Sequence, residues 1–236
     1  MLWTMLALAA AAPAPTDLTA TYASPGAGPN TSMKVEVATN GNMRFEASGG
    51  ITFIRREGHT YLVTGKGPAA LVADVADFET IARESLAKSG PGFCASIPSP
   101  GPLASLVQEG IATVQGRTGE AWYRRTRDGK LAAKPEAVIS HDPALAPIGV
   151  AVAEEYRADK RLMPDCPALH ALVAPMEAVL ASGVALAWEG MELTAVHAGP
   201  IDAKRFELPA APKSLARLRE VTSVDRKLQV LPSRAD

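Results

Sequence analysis

Histidine is the residue type in this chain that is best suited to catalysis or metal binding, and it occurs four times, as His59, His141, His170 and His197. The sequence contains no G-x-S-x-G, H-E-x-x-H or C-x-x-C motif and no P-loop, so no histidine belongs to a motif with a defined mechanism. The spacing of the four histidines predicts no metal site. We therefore predict a protein that is not an enzyme and that uses no cofactor.

The pair His141 and Asp142 is the most site-like of these positions, because it lies where a predicted strand meets a predicted helix. A hydrolase that uses His141 and Asp142 is one hypothesis. The alternative is structural: Asp142 caps the helix ahead of Pro143, and His141 is only the preceding residue. His59 lies at the tip of a charged hairpin, opposite Arg55, and is predicted to be a solvated turn residue.

The two cysteines, Cys94 and Cys166, both lie in proline-rich connections, "GPGFCASIP" and "MPDCPAL". Such connections are a poor setting for buried packing cysteines. In an exported protein an even pair of cysteines predicts one disulfide bond, which here closes a long loop. Two unpaired thiols are the alternative.

The balance of charge argues against a nucleic-acid partner. Lys and Arg number 24 and Asp and Glu number 25, and aromatic residues make up 5% of the chain, so neither phosphate attraction nor base stacking is favoured. A basic cluster, Arg124, Arg125, Arg127 and Lys130, surrounds a predicted hairpin turn at 128–129. A soluble hairpin tip needs such charges in any case.

The N-terminus, "MLWTMLALAAAAPAPTD", is predicted to be a signal peptide or an N-terminal apolar segment over residues 1–14. Its apolar run is too short for a membrane span, and Ala9 and Ala11 give a typical cleavage pattern. Because it contains no Lys or Arg, a truncated start and a retained apolar anchor stay as alternatives. No second segment is long and apolar enough to span a bilayer, so we expect a periplasmic or secreted protein that is not integral to the membrane.

Turn chemistry predicts how the first strands pair. In "TNGN", a three-residue loop with Gly41 as the left-handed bulge residue pairs Val37 with Met43 and Val35 with Phe45. This register also places opposite charges across from each other, which a two-residue loop does not.

The turn "REGH" is interpreted in the same way, with Gly58 as the bulge residue. Phe53 is then opposite Tyr61, Ile51 is opposite Val63, and the four strands share one apolar face. This face is predicted to contain Met33, Val35, Val37, Met43, Phe45, Ala47, Ile51, Phe53, Tyr61 and Val63. All of these residues except Ala47 are the predicted ligand-binding set.

Helical periodicity predicts three main helices that are inserted among the strands. The first begins after the cap Asp74 and ends near position 88, and the second extends from about 148 to 163. The third ends at Gly183 and has Pro175 as a predicted kink. The predicted fold class is α+β: one large curved antiparallel sheet, or half-barrel, with helices inserted between its halves, in a single domain over 15–209. Residues 210–236 are predicted to be a loosely ordered tail.

These features together resemble the lipoprotein-carrier-like half-barrel proteins of the bacterial periplasm, of the LolA/LolB type, and related envelope domains of unknown function. The resemblance is carried by the export segment, by the inserted helices, by "MKVEVATNGNMRFEASGGITFIRREGHTYLV" and by the closing "GMELTAVHAGPIDAKRFELP". It covers residues 17 to 209 and includes no catalytic motif. It implies an unclosed sheet whose concave apolar face, covered by helices, holds an acyl chain or another apolar ligand.

The predicted function is therefore an exported, non-catalytic binding protein, carrier- or chaperone-like, that holds an acyl chain or a lipoprotein on the concave face. The alternative is an envelope sensor or scaffold that binds a protein partner and has no small ligand. In that alternative, the apolar face is simply the core of the protein.

Overall fold

The structure is a computed structural model that describes residues 16–26, 32–89, 92–95, 97, 99–163 and 165–224. The predicted N-terminal segment at residues 1–14 lies outside the described residues. The strands are β1 (Leu18–Ala23), β2 (Ser32–Val37), β3 (Met43–Ala47), β4 (Ile51–Arg56), β5 (His59–Thr64), β6 (Leu71–Asp74), β7 (Leu106–Val114), β8 (Arg117–Arg124), β9 (Ala137–Ser140), β10 (Val184–Trp188) and β11 (Met191–Ala198). The α-helices are α1 (Val75–Ser89), α2 (Gly92–Ala95), α3 (Ala146–Leu162), α4 (Pro167–Ala181) and α5 (Leu215–Val224).

In the described part of the chain, all eleven strands belong to one antiparallel sheet, which is curved and unclosed. Its order is β6-β5-β4-β3-β2-β1-β11-β10-β9-β8-β7, so the chain enters at the centre, proceeds strand by strand to one edge, crosses to the other edge and returns to the centre. The crossing connection contains α1, and α3 and α4 are inserted between β9 and β10. The predicted α+β half-barrel is confirmed.

The two halves of the sheet meet where β1 pairs with β11. Leu18, Ala20 and Tyr22 alternate with less buried residues along β1, which is the two-residue period of a strand. The Tyr22 hydroxyl donates a hydrogen bond to the Ala185 carbonyl at 3.0 Å, and the Tyr22 ring contacts the Trp188 ring edge-on at 4.5 Å between centroids. Burial raises the pKa of Tyr22, so this hydroxyl stays protonated and keeps its role as a donor.

The β2–β3 pairing is confirmed in register. Val37 is opposite Met43 and Val35 is opposite Phe45, and Gly41 has the positive φ of 85° that the predicted bulged turn requires. The residues on either side of the turn therefore face the same side of the sheet as expected.

The predicted β4–β5 pairing is wrong by one residue. His59 is opposite Arg56 rather than Arg55, and Tyr61 is opposite Ile54 rather than Phe53. The turn contains two residues, Glu57 at φ 53° and Gly58 at φ 81°, and both are left-handed. Two left-handed residues form the hairpin turn whose twist matches that of the strands, so no bulge is present.

The register change moves Tyr61 and Val63 to the opposite face of the sheet. We call the face that α3 covers the inner face; it carries Val35 and Phe45 and is the face that was predicted to be concave. Val63 instead packs on the outer face with Ile54 and Val72. Tyr61 and Val63 are therefore removed from the predicted inner-face set.

The helices occupy the predicted positions with small shifts. The Asp74 carboxylate accepts a hydrogen bond from the Ala76 amide, so Asp74 caps α1 as predicted. Helix α3 begins two residues before the predicted start, because Pro147 lies in its first turn, where a proline removes no helical hydrogen bond. Pro175 lies inside α4.

The outer face of strands β2–β6 is covered by residues 201–213, which we call the C-terminal strap. Arg205 donates hydrogen bonds to Glu36 at 2.7 Å and to Glu46 at 2.8 Å. Leu208 and Ala210 then pack against the outer-face apolar cluster, and the Lys213 amide donates to the backbone of β6. The strap explains why the Glu36 side chain, on the charged part of the outer face, is only 4% exposed.

Part of the predicted loose tail is described. Leu218 of α5 is buried at 1% exposure, and Arg219 forms an ion pair with Glu84 of α1. Residues 225–236 lie outside the described part of the chain.

The strap predicts a pH dependence of stability. Burial acts to raise the pKa of Glu46, but hydrogen bonds from Arg44 and then Arg205 outweigh it and hold the pKa below its ordinary 4.5. Because the folded-state pKa is lowered, the ionised carboxylate stabilises the fold above pH 4.5, and this contribution is lost as the pH falls through the lower folded-state value. We expect Glu46→Gln to reduce the free energy of unfolding by about 1 kcal/mol at pH 7.

Urea unfolding at several pH values measures this effect. The difference between wild type and Glu46→Gln should shrink below pH 4.5, whereas an equal difference at pH 7 and pH 3.5 would contradict it. Glu220→Gln is the matched control, because Glu220 is exposed and its ion pair with Arg217 lies on the surface of α5, away from the strap.

The predicted disulfide between Cys94 and Cys166 is confirmed and joins α2 to the residue that precedes α4. The bonded residues are separated by 72 positions, so the bond restricts a long loop in the unfolded chain. We expect the double variant Cys94→Ser with Cys166→Ser to lose about 4 kcal/mol of unfolding free energy. An unchanged urea midpoint under non-reducing conditions would contradict this expectation.

Candidate functional site

The inner face of the sheet is filled by α3. Ile148 and Val152 of α3 are 0% and 1% exposed, and they belong to the same core cluster as Val35 and Phe45 of the sheet. Seven of the nine predicted ligand-binding residues lie on this inner face: Met33, Val35, Val37, Met43, Phe45, Ile51 and Phe53. In this structure they serve as the surface on which a helix of the same chain packs.

Very little free space is left between α3 and these strands. A slit of about 20 Å³ lies between Met43, Phe45 and Phe53 of the sheet and Ala151 of α3. At its rim Arg55 forms an ion pair with Glu154 of α3 at 3.3 Å. A slit of this size holds about one water molecule, so it offers no room for an acyl chain.

His141 contacts a different carboxylate from the one that the sequence suggested. Its Nε2 lies 3.4 Å from Glu120, and its side chain is 56% exposed. The Asp142 carboxylate accepts a hydrogen bond from the Ala144 amide and so caps a short 3-10 helix, as the structural alternative predicted. No hydrogen bond between His141 and a hydroxyl or thiol is found among the described residues.

His141 and Asp142 nevertheless line a sizeable cleft, which we call the apolar cleft. Its volume is about 320 Å³, and it lies between the first half of α3, the end of α4 and the adjoining ends of β9 and β10. Its apolar lining comprises Pro143, Ala146, Val150, Ala153, Leu180, Ala181 and Val184. Polar groups at its rim come from Ser140, His141, Asp142, Arg157 and Ser182.

Two glycines allow the walls of the apolar cleft to approach each other. A Cβ atom on Gly149 of α3 would lie 2.6 Å from the Gly183 carbonyl oxygen. A Cβ atom on Gly183 would lie 2.6 Å from the Ser140 carbonyl oxygen. The start of α3 therefore packs directly on the backbone before β10. Val150, which lines the cleft, is 52% exposed.

A second cavity of about 260 Å³, which we call the charged cleft, lies between α1, α3 and α4. It is lined by Arg83, Arg157, Lys160, Arg161 and His170 and by three carboxylates, Glu79, Asp165 and Glu177; Ala82 and Met163 complete it. The Cys94–Cys166 bond adjoins it through Asp165, whose carbonyl lies 3.8 Å from the Cys94 sulfur.

Ion pairs engage the carboxylates of the charged cleft. Glu177 accepts from Lys160 at 2.6 Å and lies 3.3 Å from Arg157, and the hydrogen bond from Lys160 is the main cause that lowers the pKa of Glu177. Glu79 pairs with Arg83 at 3.1 Å. Asp165 lies 3.2 Å from His170 Nε2. This ring nitrogen is buried, and its contact with Asp165 does not have the geometry of a hydrogen bond.

Arg157 belongs to the linings of both clefts, so the two clefts adjoin each other along α3. The cleft residues on α3 follow a helical spacing of three and four: Ala146, Gly149, Val150, Ala153, Arg157, Lys160 and Arg161. The sequence contains this stripe, but its charged part, the run "EEYRADKR", is equally typical of an ordinary solvated helix face, so the sequence alone does not mark it as a site.

The other predicted positions contribute little to a site. His59 Nδ1 lies 2.8 Å from Asp74, and the ring stays exposed at the edge of β5. Of the basic cluster, Arg124 donates to the Leu103 carbonyl and Arg125 to the Gly129 carbonyl, so both arginines hold neighbouring loops in place.

No group of three or more potential metal ligands occurs among the described residues. The helices in the described part of the chain do not include one that is both long enough and apolar enough to cross a membrane. Comparison of the chain with protein-family models, with curated proteins and with solved structures gives no match in any of the three.

Substitutions on the two faces of α3 test which of these faces packs in the core. Ile148→Ala should lower the unfolding free energy by about 2–5 kcal/mol, because it leaves a cavity in the inner-face core. Val150→Ala should change it by at most about 0.5 kcal/mol, because Val150 lies on the exposed face. Both substitutions change helix propensity alike, so equal losses in urea unfolding would contradict the assignment of the two faces.

Proposed function

We propose that this chain is an exported, non-catalytic binding protein, carrier- or chaperone-like, and that it binds an apolar ligand in the apolar cleft beside α3. The observation that carries the proposal is the cleft itself: a concave volume of about 320 Å³ with an apolar lining and a few polar groups at its rim. Small-molecule sites in proteins typically have this composition and begin at about this volume.

The proposed site differs from the one that the sequence suggested, which is the inner face of the sheet. An acyl chain on the inner face would have to displace α3, which would expose Ile148 and Val152 to water. Burial of each such side chain contributes about 1.5–3 kcal/mol, so displacement of the whole helix is costly. The apolar cleft requires no displacement, because its lining is already open.

Export is supported by two observations. The disulfide between Cys94 and Cys166 is typical of oxidising compartments, and the apolar run at residues 1–14 is typical of a secretory signal. The resemblance to lipoprotein-carrier-like half-barrels fits the same compartment. The small volume of the cleft favours a single acyl chain over a larger lipid.

A non-catalytic role is supported by the surroundings of His141. Its ring contacts Glu120, while Asp142 serves as a helix cap. A general base needs a nucleophile or a substrate proton within hydrogen-bond distance, and the described residues supply no such nucleophile.

A scaffold that binds a protein partner and no small ligand is the second candidate. The filled inner face favours it, because the apolar face that suggested a carrier is the core of the protein.

Uptake of a fluorescent fatty-acid probe tests the proposal. Wild type should bind the probe, and Ala146→Trp should weaken binding at least about tenfold, because the indole fills the cleft. Ala171→Trp is the matched control: Ala171 is an exposed alanine in the middle of α4 and lines neither cleft. It should bind the probe as wild type does.

Two outcomes would count against the proposal. If wild-type protein took up no probe and native mass spectrometry of the purified protein showed no bound lipid, the scaffold candidate would replace it. If Ala146→Trp bound the probe as tightly as Ala171→Trp, the ligand would lie elsewhere.

A further inference from the structure

We infer that the ligand is an anionic amphiphile, with its apolar tail in the apolar cleft and its single negative headgroup in the charged cleft. This inference rests on the proposed function, because it assigns the chemical class of the ligand that the apolar cleft binds. A long-chain carboxylate or a monoanionic phosphate ester has this chemistry.

The first support is the arrangement of the two clefts. They adjoin at Arg157, whose side chain lines both. Along the same stripe of α3, the residues change from small and apolar at Ala146 and Val150 to basic at Lys160 and Arg161. From Ala146 to Arg161 the helix rises about 22 Å, so one elongated molecule can contact both chemistries.

The second support is the charge of the headgroup end. Four cationic side chains, Arg83, Arg157, Lys160 and Arg161, line the charged cleft against the three carboxylates, so its formal charge is positive with histidine neutral. Among the described residues, Arg161 has no carboxylate within ion-pair distance. One cation is therefore left for a ligand.

The third support is that carboxylates of the charged cleft already have ion-pair partners. Glu177 is shared between Lys160 and Arg157, and Glu79 is held by Arg83. Asp165 lies beside His170. Because Glu177 and Glu79 are occupied by cations, a cationic headgroup would have to compete with existing partners at both of these carboxylates. A headgroup with two charges would meet repulsion from the same three carboxylates, so a monoanion fits best.

Arginine is well suited to bind such a headgroup. Its planar guanidinium donates two parallel hydrogen bonds to a carboxylate or a phosphate. Because Arg161 is exposed, the gain is limited by solvent, and we expect the headgroup to add about a tenfold preference rather than most of the affinity. The tail in the apolar cleft supplies the rest.

Displacement of the fluorescent fatty-acid probe from the full chain tests the inference with three ligands of equal chain length. Dodecanoate should bind about tenfold more tightly than dodecanol, and dodecylammonium should bind most weakly. Arg161→Gln should remove the preference for dodecanoate over dodecanol. Arg161→Lys should keep part of the preference, and Arg217→Gln, in α5 and outside both clefts, should keep all of it.

The outcomes separate this inference from the proposed function. If dodecanoate and dodecanol bound equally and Arg161→Gln changed neither, the headgroup assignment would be overturned while the apolar site stood. If inorganic phosphate or butanoate displaced the probe as well as dodecanoate does, the charged cleft would be a site for free anions. The assignment of an amphiphilic ligand would then be overturned. If none of the ligands bound, the proposed function itself would fail.

Discussion

The packing of α3 against the inner face of the sheet is the interaction on which the rest of the structure depends. An open antiparallel sheet with one apolar face needs a second layer, and α3 supplies it with Ile148, Ala151 and Val152. The same helix turns its other side to α4 and to the ends of β9 and β10. The cleft residues are therefore placed by the same contact that completes the core, and neither cleft exists without that contact.

Strands β4 and β5 are buried on both faces, and this limits how far the sequence specifies their pairing. On β2 and β3, charged residues at Lys34, Glu36, Arg44 and Glu46 alternate with apolar ones, so only one register gives sensible pairs and the pairing is predictable. On β5, consecutive Tyr61, Leu62 and Val63 are all apolar because the strap covers the outer face there. Without alternation of apolar and charged residues, a shift of the β4–β5 pairing by one residue moves no charged side chain to a buried face. The sequence alone therefore does not distinguish the two registers.

Some features of the fold and of the predicted site follow from local sequence, and others depend on long-range packing. The fold class, the disulfide and the capping role of Asp142 follow from local chemistry, namely turn residues, cysteine context and a cap before proline. That the inner face is closed by a helix of the same chain depends on long-range packing, which periodicity does not report. The clefts were missed for a related reason: their lining joins α3 to residues of α4 and of two strand ends, and no local pattern connects Val150 with Leu180 or Arg157 with Glu177.

The order of strands in the sheet has a consequence for how the protein acquires its structure. The central pairing joins β1 to β11, with Leu18 opposite Ala198. The first strand of the chain therefore pairs on this side only after the last strand has been made. During synthesis, β1 to β6 emerge first and leave the backbone of β1 unpaired along a six-residue edge. Such an edge is a template for pairing with other chains. A protein built in this order therefore has its greatest need of protection from aggregation before β11 has emerged, at a stage when most of its residues have already been made.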